Sequence, residues 1–579
     1  MVRKWFFLFL AAVLLVLGLA ACGGPKDTPA TSPAPAAQTV SPSEVDHLVR
    51  LCKVWGYTKY RHPAFLKGEK DWDAELQALI PQVWAAQSSQ QVNELLHTWL
   101  VSLGEVEPGS KPSAAAGQVQ LVDLSWTQDE EQLGPELAAD LRRLSEAVPR
   151  RLDQRTAPVW FDWQRAVPDF SNEKEPEGDC QDAGFRLVGL FRLWNAMEYY
   201  FPYQHLLAEN WEDSLRQSIP AMLSAQDEAG YRQTLIVLAN KLQDGHVCFF
   251  ERGTGRQVWG QELPMYPLQV SVQEAEGQLV VTEDQPKGPL KRGDVLLSID
   301  GESIQQLAEQ RRDLMPVGRE ELFLQKAASL LLRSRSNRAK VAVLRAGQQR
   351  EFTLQWSDKA DSSAENQRAP FRLLEGTIGL WNADAFQTQE QLYQALAEAR
   401  STDGLIVDLR RYPGAAFAHS YPALVQSPRV VTQCALSLPE TPGSYQIYPV
   451  ENGYDPAVLK AKGLQPEQFY PYQKPVVVLI HEGTVSYGEY AATVIRAGDN
   501  AVLLGRETTG ADGNVGRLLL PGGLEMSFSS MGVYEADGDQ TQCTGISPDI
   551  RVEPTVQGIA QGRDEQLEAA LAYLAQTAQ

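Results

Sequence analysis

The chain has 579 residues, enough for three or four domains, and 43% hydrophobic with 22% charged content is the make-up of a globular protein. A formal charge of -21 argues against nucleic acid as a partner and against an electrostatic hold on anionic membranes.

The first 21 residues stand apart. Arg3 and Lys4 form a positive start, and the apolar run Trp5 to Leu19 is short for a membrane span. Leu19-Ala20-Ala21-Cys22 resembles the lipobox of bacterial lipoproteins. That resemblance implies a signal peptide over 1–21, cleavage before Cys22, acylation of its thiol, and a lipid anchor at the bacterial cell envelope, facing the periplasm or the exterior. Residues 22–43, rich in Pro, Ala, Thr and Ser, read as a flexible tether. Cys52, Cys180, Cys248, Cys434 and Cys543 show no CxxC spacing, so no metal site is expected. With no phosphate loop or dinucleotide fingerprint either, no cofactor is expected.

Residues 44–179 begin with amphipathic helical periodicity, Leu48, Leu51, Val54 and Trp55 sharing a face. The pattern recurs in 180–256. Leu51 to Tyr60 matches Leu190 to Tyr199, and at the same offset Asp71-Trp72-Asp73 matches Asn210-Trp211-Glu212 and Ile80-Pro81 matches Ile219-Pro220. A duplicated helical module is predicted. Only the second copy ends in a histidine, at Asp244-Gly245-His246, where Asp-Gly signals a turn before a short apolar run. Residues 106–179 yield no functional reading. Cys248, on the strand face it shares with His246, is a candidate nucleophile by composition only.

Residues 257–358 read as mostly β, and Arg292-Gly-Asp-Val-Leu-Leu-Ser-Ile-Asp300-Gly301 resembles a PDZ domain, a fold that takes extended peptides by strand addition. Residues 365–579 alternate strands and helices, the mark of an α/β unit with parallel strands. Gly404 to Arg410 is a buried strand, and Gly414 in the turn after it could bring a backbone N–H close to a ligand. Val476 to Ile480 is a second buried strand. It turns through Gly483-Thr-Val-Ser486-Tyr487-Gly488-Glu489 into a helical run, which lifts Ser486 to the sheet edge beside helix N-terminal N–H groups. Taken alone, a serine there is more often a helix cap.

In order along the chain, Asp244-Gly-His246, the PDZ-like stretch, Asp408-Leu-Arg-Arg-Tyr412-Pro-Gly414, Gly483 to Glu489, Gly505 to Gly510 and Gly545-Ile-Ser-Pro-Asp-Ile550 resemble the S41 serine peptidases, the tail-specific, C-terminal processing and tricorn-core family. The resemblance implies a multidomain α+β protein: duplicated N-terminal helical modules, a PDZ-like β domain and a C-terminal α/β (ClpP/crotonase-like) catalytic core. Where the tail-specific type has its lysine, this chain reads Gly510-Ala511-Asp512-Gly513. A His-based, tricorn-like member is therefore expected, with Ser486 as nucleophile, His246 as base, and the Gly414 (or Ala415) and Tyr487 N–H groups as oxyanion donors. The acid that orients the histidine would fall at Gln542, with Asp512 and Glu489 as alternatives. The expected partner is a peptide or protein substrate hydrolysed through an acyl-enzyme. The alternative is a non-catalytic binding or scaffold lipoprotein on the same fold.

Overall fold

The computed structural model describes residues 40–107, 116–147, 149, 151–258, 266–268, 270–285, 288–315, 322–334, 336–355, 368–374 and 376–577. The predicted signal peptide, Cys22 and nearly all of the tether lie outside the described residues. No described helix is long and apolar enough to cross a membrane.

The N-terminal half packs helices Pro42–Lys59, Trp72–Trp84 and Ser89–Ser102 with helices Ala183–Tyr200, Trp211–Ser224 and Glu228–Asn240 around one large apolar core. Contacts in the first set recur in the second. Trp55 Nε1 donates to the Trp72 carbonyl (2.8 Å) and Trp194 Nε1 to that of Trp211 (2.9 Å). Across the sets, Lys53 pairs with Glu212 and Arg192 with Asp73, both at 2.5 Å. Helices Pro42–Lys59 and Ala183–Tyr200 cross where Gly56 meets Asn195. A Cβ on Gly56 would lie 1.8 Å from Asn195 Oδ1, so only glycine fits there.

Buried charge at this junction is balanced. Glu173 accepts from Lys59 (2.5 Å) and Trp72 Nε1 (3.0 Å) and lies 3.2 Å from Arg192 Nε. Burying unpaired charge is costly, and pairing with further hydrogen bonds offsets that cost. Glu173 comes from the stretch that carried no functional reading in sequence. It locks the two sets of helices together.

Residues 272–355 form an antiparallel sheet in the spatial order Gln348–Gln355, Arg338–Arg345, Val295–Ile299, Gln278–Val281, Val272–Ala275, with helices Ile304–Gln310 and Phe323–Leu331 over its core.

The C-terminal unit is built on a sheet in the order Phe371–Leu373, Ile378–Asn382, Gly404–Asp408, Val476–Ile480, Ala501–Gly505, Ile550–Arg551. All its pairings are parallel except the first. Strands Gly404–Asp408 and Val476–Ile480 are buried throughout, as their uninterrupted apolar runs predict.

A second sheet brings distant segments together. Hairpin Val515–Leu520/Leu524–Ser529 takes Val167–Asp169 on one side and Cys248–Glu251 on the other. On the latter side Leu524 faces Glu251 and Ser527 faces Cys248. Continued two residues, that antiparallel register sets Ser529 opposite His246. The turn at 244–246 is thereby delivered from the helical half to the edge of the α/β unit.

Candidate active site

Ser486 sits between strand Val476–Ile480 and helix Tyr487–Arg496. Its backbone, at φ 53° and ψ -118°, lies outside the regions non-glycine residues favour. Such strain costs on the order of 1–3 kcal/mol and persists only where surrounding contacts fix it. Those contacts are dense. Ser486 N–H donates to the Ala511 carbonyl (2.9 Å) and approaches Glu489 Oε2 (3.1 Å). Thr484 Oγ1 accepts from His481 N–H (3.1 Å) and donates to the Leu409 carbonyl (3.1 Å).

Glu489 is fully buried and also accepts from Thr508 Oγ1 (2.5 Å), Gly510 N–H (2.7 Å) and Ala511 N–H (2.9 Å). Burial raises its pKa and these donors pull it back. It clamps the 508–511 loop to the serine turn and does not touch the imidazole.

His246 approaches through the same loop. A Cβ on Gly245 would lie 2.8 Å from Ala511 Cβ, and Ala511 is the residue whose carbonyl holds Ser486 N–H. His246 Nδ1 lies 2.8 Å from Ser529 Oγ, and Ser529 Oγ donates to Asp244 Oδ1 (2.7 Å). Because the serine proton is committed to the carboxylate, Nδ1 must carry the hydrogen it donates to Ser529. The Nε2 lone pair is then free, and Nε2 is buried with no hydrogen-bond partner among the described residues. A neutral imidazole in this tautomer can accept a proton at Nε2.

Asp244 is fully buried and also accepts from Ser529 N–H (2.6 Å), His246 N–H (3.1 Å) and Gln542 Nε2 (3.2 Å). Its carboxylate lies 4.0 Å from His246 Nδ1, so Ser529 bridges charge and ring. Of the three residues expected to orient the imidazole, Gln542 holds Asp244 and Glu489 holds the nucleophile turn. Asp512 accepts from Gly513 N–H (2.6 Å), and its Oδ2 has no partner among the described residues. Burial, with Glu489 nearby, pushes the Asp512 pKa well up.

On the oxyanion side, Gly414 is buried against Phe386, where a Cβ would stand 2.3 Å from the carbonyl oxygen. Its N–H donates to the Ala383 carbonyl (2.9 Å) and is not free to take an oxyanion in this arrangement. The Tyr412 ring packs edge-on against that of Tyr487, with centroids 6.0 Å apart.

Cys248 Sγ is met by Gln257 Nε2 at 3.7 Å. Burial pushes its thiol up to about 11, so the nucleophilic thiolate is scarce at neutral pH. All five cysteines in the described residues are free thiols.

A strained serine at a strand-to-helix turn on an α/β sheet edge, with an oriented histidine packed on the neighbouring 508–511 loop, is an arrangement compatible with a serine-type peptidase. Residues 376–552 of this chain match the model of peptidase family S41, which supports a serine-type peptidase. Among solved structures it is similar to mature CPAF, with 18% identity, 68% of this chain and 98% of that one covered, and a TM-score of 0.51. That likeness is one of fold. It is also similar to the photosystem II D1 C-terminal processing protease (17% identity, 66% and 98% covered, TM-score 0.39) and the tricorn protease (13% identity, 69% and 37% covered, TM-score 0.36). No curated protein matches the chain in sequence.

The residues missed in sequence were Ser529 and the role of Asp244. The alternation Leu524-Glu-Met-Ser-Phe-Ser529 signals a strand with serines at 527 and 529 on one face, but nothing local names their partner.

Proposed function

We propose that this protein is an envelope-tethered serine endopeptidase that processes peptide or protein substrates through an acyl-enzyme. Ser486 Oγ attacks the scissile carbonyl carbon while His246 Nε2 takes its proton. The imidazolium, facing Asp244 through Ser529, gives that proton to the leaving amine as the C–N bond breaks. Water then attacks the ester with His246 as base, releasing the acid and restoring Ser486. The observation that carries this reading is the Asp244–Ser529–His246 chain, which leaves Nε2 as a proton acceptor beside the loop that holds Ser486.

In this reading the 44–179 and 180–256 segments are a duplicated module, and the second copy presents the base. Their reciprocal ion pairs and repeated tryptophan bonds support it. The 257–358 unit acts as a PDZ-like substrate-binding domain. Arg506 supports its coupling to the site by joining Glu274 of that unit (2.8 Å) to Glu482 (3.4 Å), four residues before Ser486. Cys22 carries the lipid anchor at the envelope.

A fluorophosphonate probe tests the assignment. Wild-type protein is labelled, Ser486→Ala is not, His246→Ala labels far more slowly and Cys248→Ala labels normally. A folded wild type that takes no label would defeat the peptidase mechanism and favour a binding role.

A further inference from the structure

A cavity of about 380 Å³ lies between the 272–355 sheet and the α/β unit. Val272, Gln273, Thr282 and Gln325 line it from one side and bring no charge. From the other side come Arg368, Arg410 and Arg411, with His481, Glu482 and Gly483 at the entry to the serine turn. Most of the charge on this wall is spent within it. Arg410 donates to Asp408 Oδ1 (3.0 Å) and Oδ2 (3.1 Å) and to both oxygens of Asp564. Arg368 donates to Asp408 Oδ2 (3.0 Å) and to both oxygens of Asp384. Glu482 is buried and lies 3.4 Å from Arg506 Nη1. Burial lowers the His481 pKa, so that ring adds no charge at neutral pH. Arg411 is the exception. Its side chain is 56% exposed, and its guanidinium makes no hydrogen bond to any described residue. Its ion pair with Asp384 is long, at 3.9 Å, and that carboxylate is already held by Arg368.

The cavity adjoins the nucleophile. Gly483 stands three residues before Ser486, a span of at most about 11 Å. The turn that carries Arg411 lies against the start of the serine's helix: the Tyr412 ring meets that of Tyr487, and Pro413 Cδ is 3.7 Å from where a Cβ on Gly488 would stand. At about 3.3 Å per residue, an extended peptide with its scissile bond at Ser486 passes Arg411 within about four residues. A guanidinium fork matches a carboxylate, with two charge-assisted hydrogen bonds. Chain-end carboxylates are captured in nests of backbone N–H groups. Here Arg410 N–H is given to Asp408 Oδ1 (3.1 Å) and Gly483 N–H to His481 Nδ1 (2.9 Å). A side-chain carboxylate is therefore the better match for what this wall offers.

We propose that this cavity is a substrate subsite in which Arg411 selects an aspartate or glutamate side chain close to the scissile bond. Arg368 and Arg410, committed to Asp384, Asp408 and Asp564, fix the start of the turn and do not read the substrate. The uncharged wall of the 272–355 unit closes over the same side chain, so that its carboxylate finds Arg411 as the one cation left to pair with.

Such selection rests on peptide cleavage at Ser486, and the experiment keeps the two apart. Full-length wild type, Arg411→Gln, Arg411→Glu and Ser486→Ala are each given a peptide library made by digesting a bacterial proteome, and the cut sites are read by mass spectrometry. Wild-type cuts are expected to show Asp or Glu enriched at one fixed position within about four residues of the scissile bond. In a peptide drawn from that set, replacing the acid by its amide should lower kcat/KM on the order of tenfold in wild type, the effect of losing a charge-assisted pair. Arg411→Gln should cut the two peptides alike, and Arg411→Glu should prefer lysine at that position, a reversal that a merely structural role would not produce. Both variants should keep the wild-type melting temperature, and the acid-against-amide comparison within wild type needs no variant to fold. Absence of an acidic preference in wild type overturns the proposal, as does a preference that survives in both Arg411 variants. So does a preference for a free chain end that is abolished by amidating the peptide's C-terminus. In each of those cases cleavage at Ser486 stands. No cutting by wild type, or the same cuts by Ser486→Ala, removes both.

Discussion

Ser529→Ala and Asp244→Asn perturb the same chain at different links, and the structure ranks them. Removing the Ser529 hydroxyl takes away the acceptor for His246 Nδ1–H but leaves the Asp244 charge 4.0 Å from the ring. The loss is one hydrogen bond to a buried group, about 1–3 kcal/mol, or on the order of 10- to 100-fold in acylation rate. Asp244→Asn removes the charge itself. At 4.0 Å and an effective dielectric constant near 20 that charge stabilises the imidazolium by about 4 kcal/mol, on the order of 10³-fold. An asparagine amide would also donate to Ser529 Oγ, turning the serine proton toward Nδ1 and fixing the tautomer whose Nε2 cannot accept. Labelling rates of the two variants and of the double variant, with melting temperatures as a fold control, give the comparison. The double variant should be no slower than Asp244→Asn alone, since one link of a broken chain cannot be lost twice. A Ser529→Ala rate within twofold of wild type, or an Asp244→Asn cost smaller than that of Ser529→Ala, would refute the relay.

Two further outcomes follow from packing and burial. Gly56→Ala should destabilise by about 1–3 kcal/mol or more, because its Cβ would meet Asn195 Oδ1, and Asn195 Nδ2 is tied to the Cys52 and Phe191 carbonyls. Gly56→Ala/Asn195→Ala should recover much of that loss by thermal denaturation, and no recovery would show that the crossing is not set by this pair. Asp512 binds its proton more tightly when folded than unfolded, so its contribution to stability is full below the unfolded pKa near 3.8 and is lost as pH rises toward its raised folded pKa. Asp512→Asn should therefore melt like wild type near pH 3.5 and increasingly above it as pH rises; parallel melting curves from pH 3.5 to 8 would contradict a carboxyl whose pKa burial has raised.

Much of the α/β unit was legible because its signals are local. Val476 to Ile480 and Gly404 to Asp408 are unbroken apolar runs, and a strand buried on both faces needs nothing else. The turn to Ser486 was legible for the same reason, with Gly483 before it and a helical run after. The stretch 106–179 was opaque because the value of Glu173 lies entirely in Lys59, Trp72 and Arg192, which come from three helices. No periodicity within the stretch reports a partner more than a hundred residues away.

The orienting group was hidden by a different kind of separation. The family resemblance points to position 542 for the acid, and the glutamine that stands there cannot stabilise imidazolium by charge. The structure puts Gln542 on Asp244 instead, at 3.2 Å. The charge comes from the residue two before the histidine itself. Asp244 and His246 share one tight turn, His246 N–H folding back to Oδ1 at 3.1 Å, and that closeness along the backbone leaves the carboxylate 4.0 Å from Nδ1. A bridging hydroxyl closes the gap, and the register of strand Leu524–Ser529 against Cys248–Glu251 supplies it at Ser529. Register is a property of two strands and not of either sequence. Asp244 is visible in sequence as part of a turn, and it reaches the imidazole through Ser529 only once the second sheet has formed.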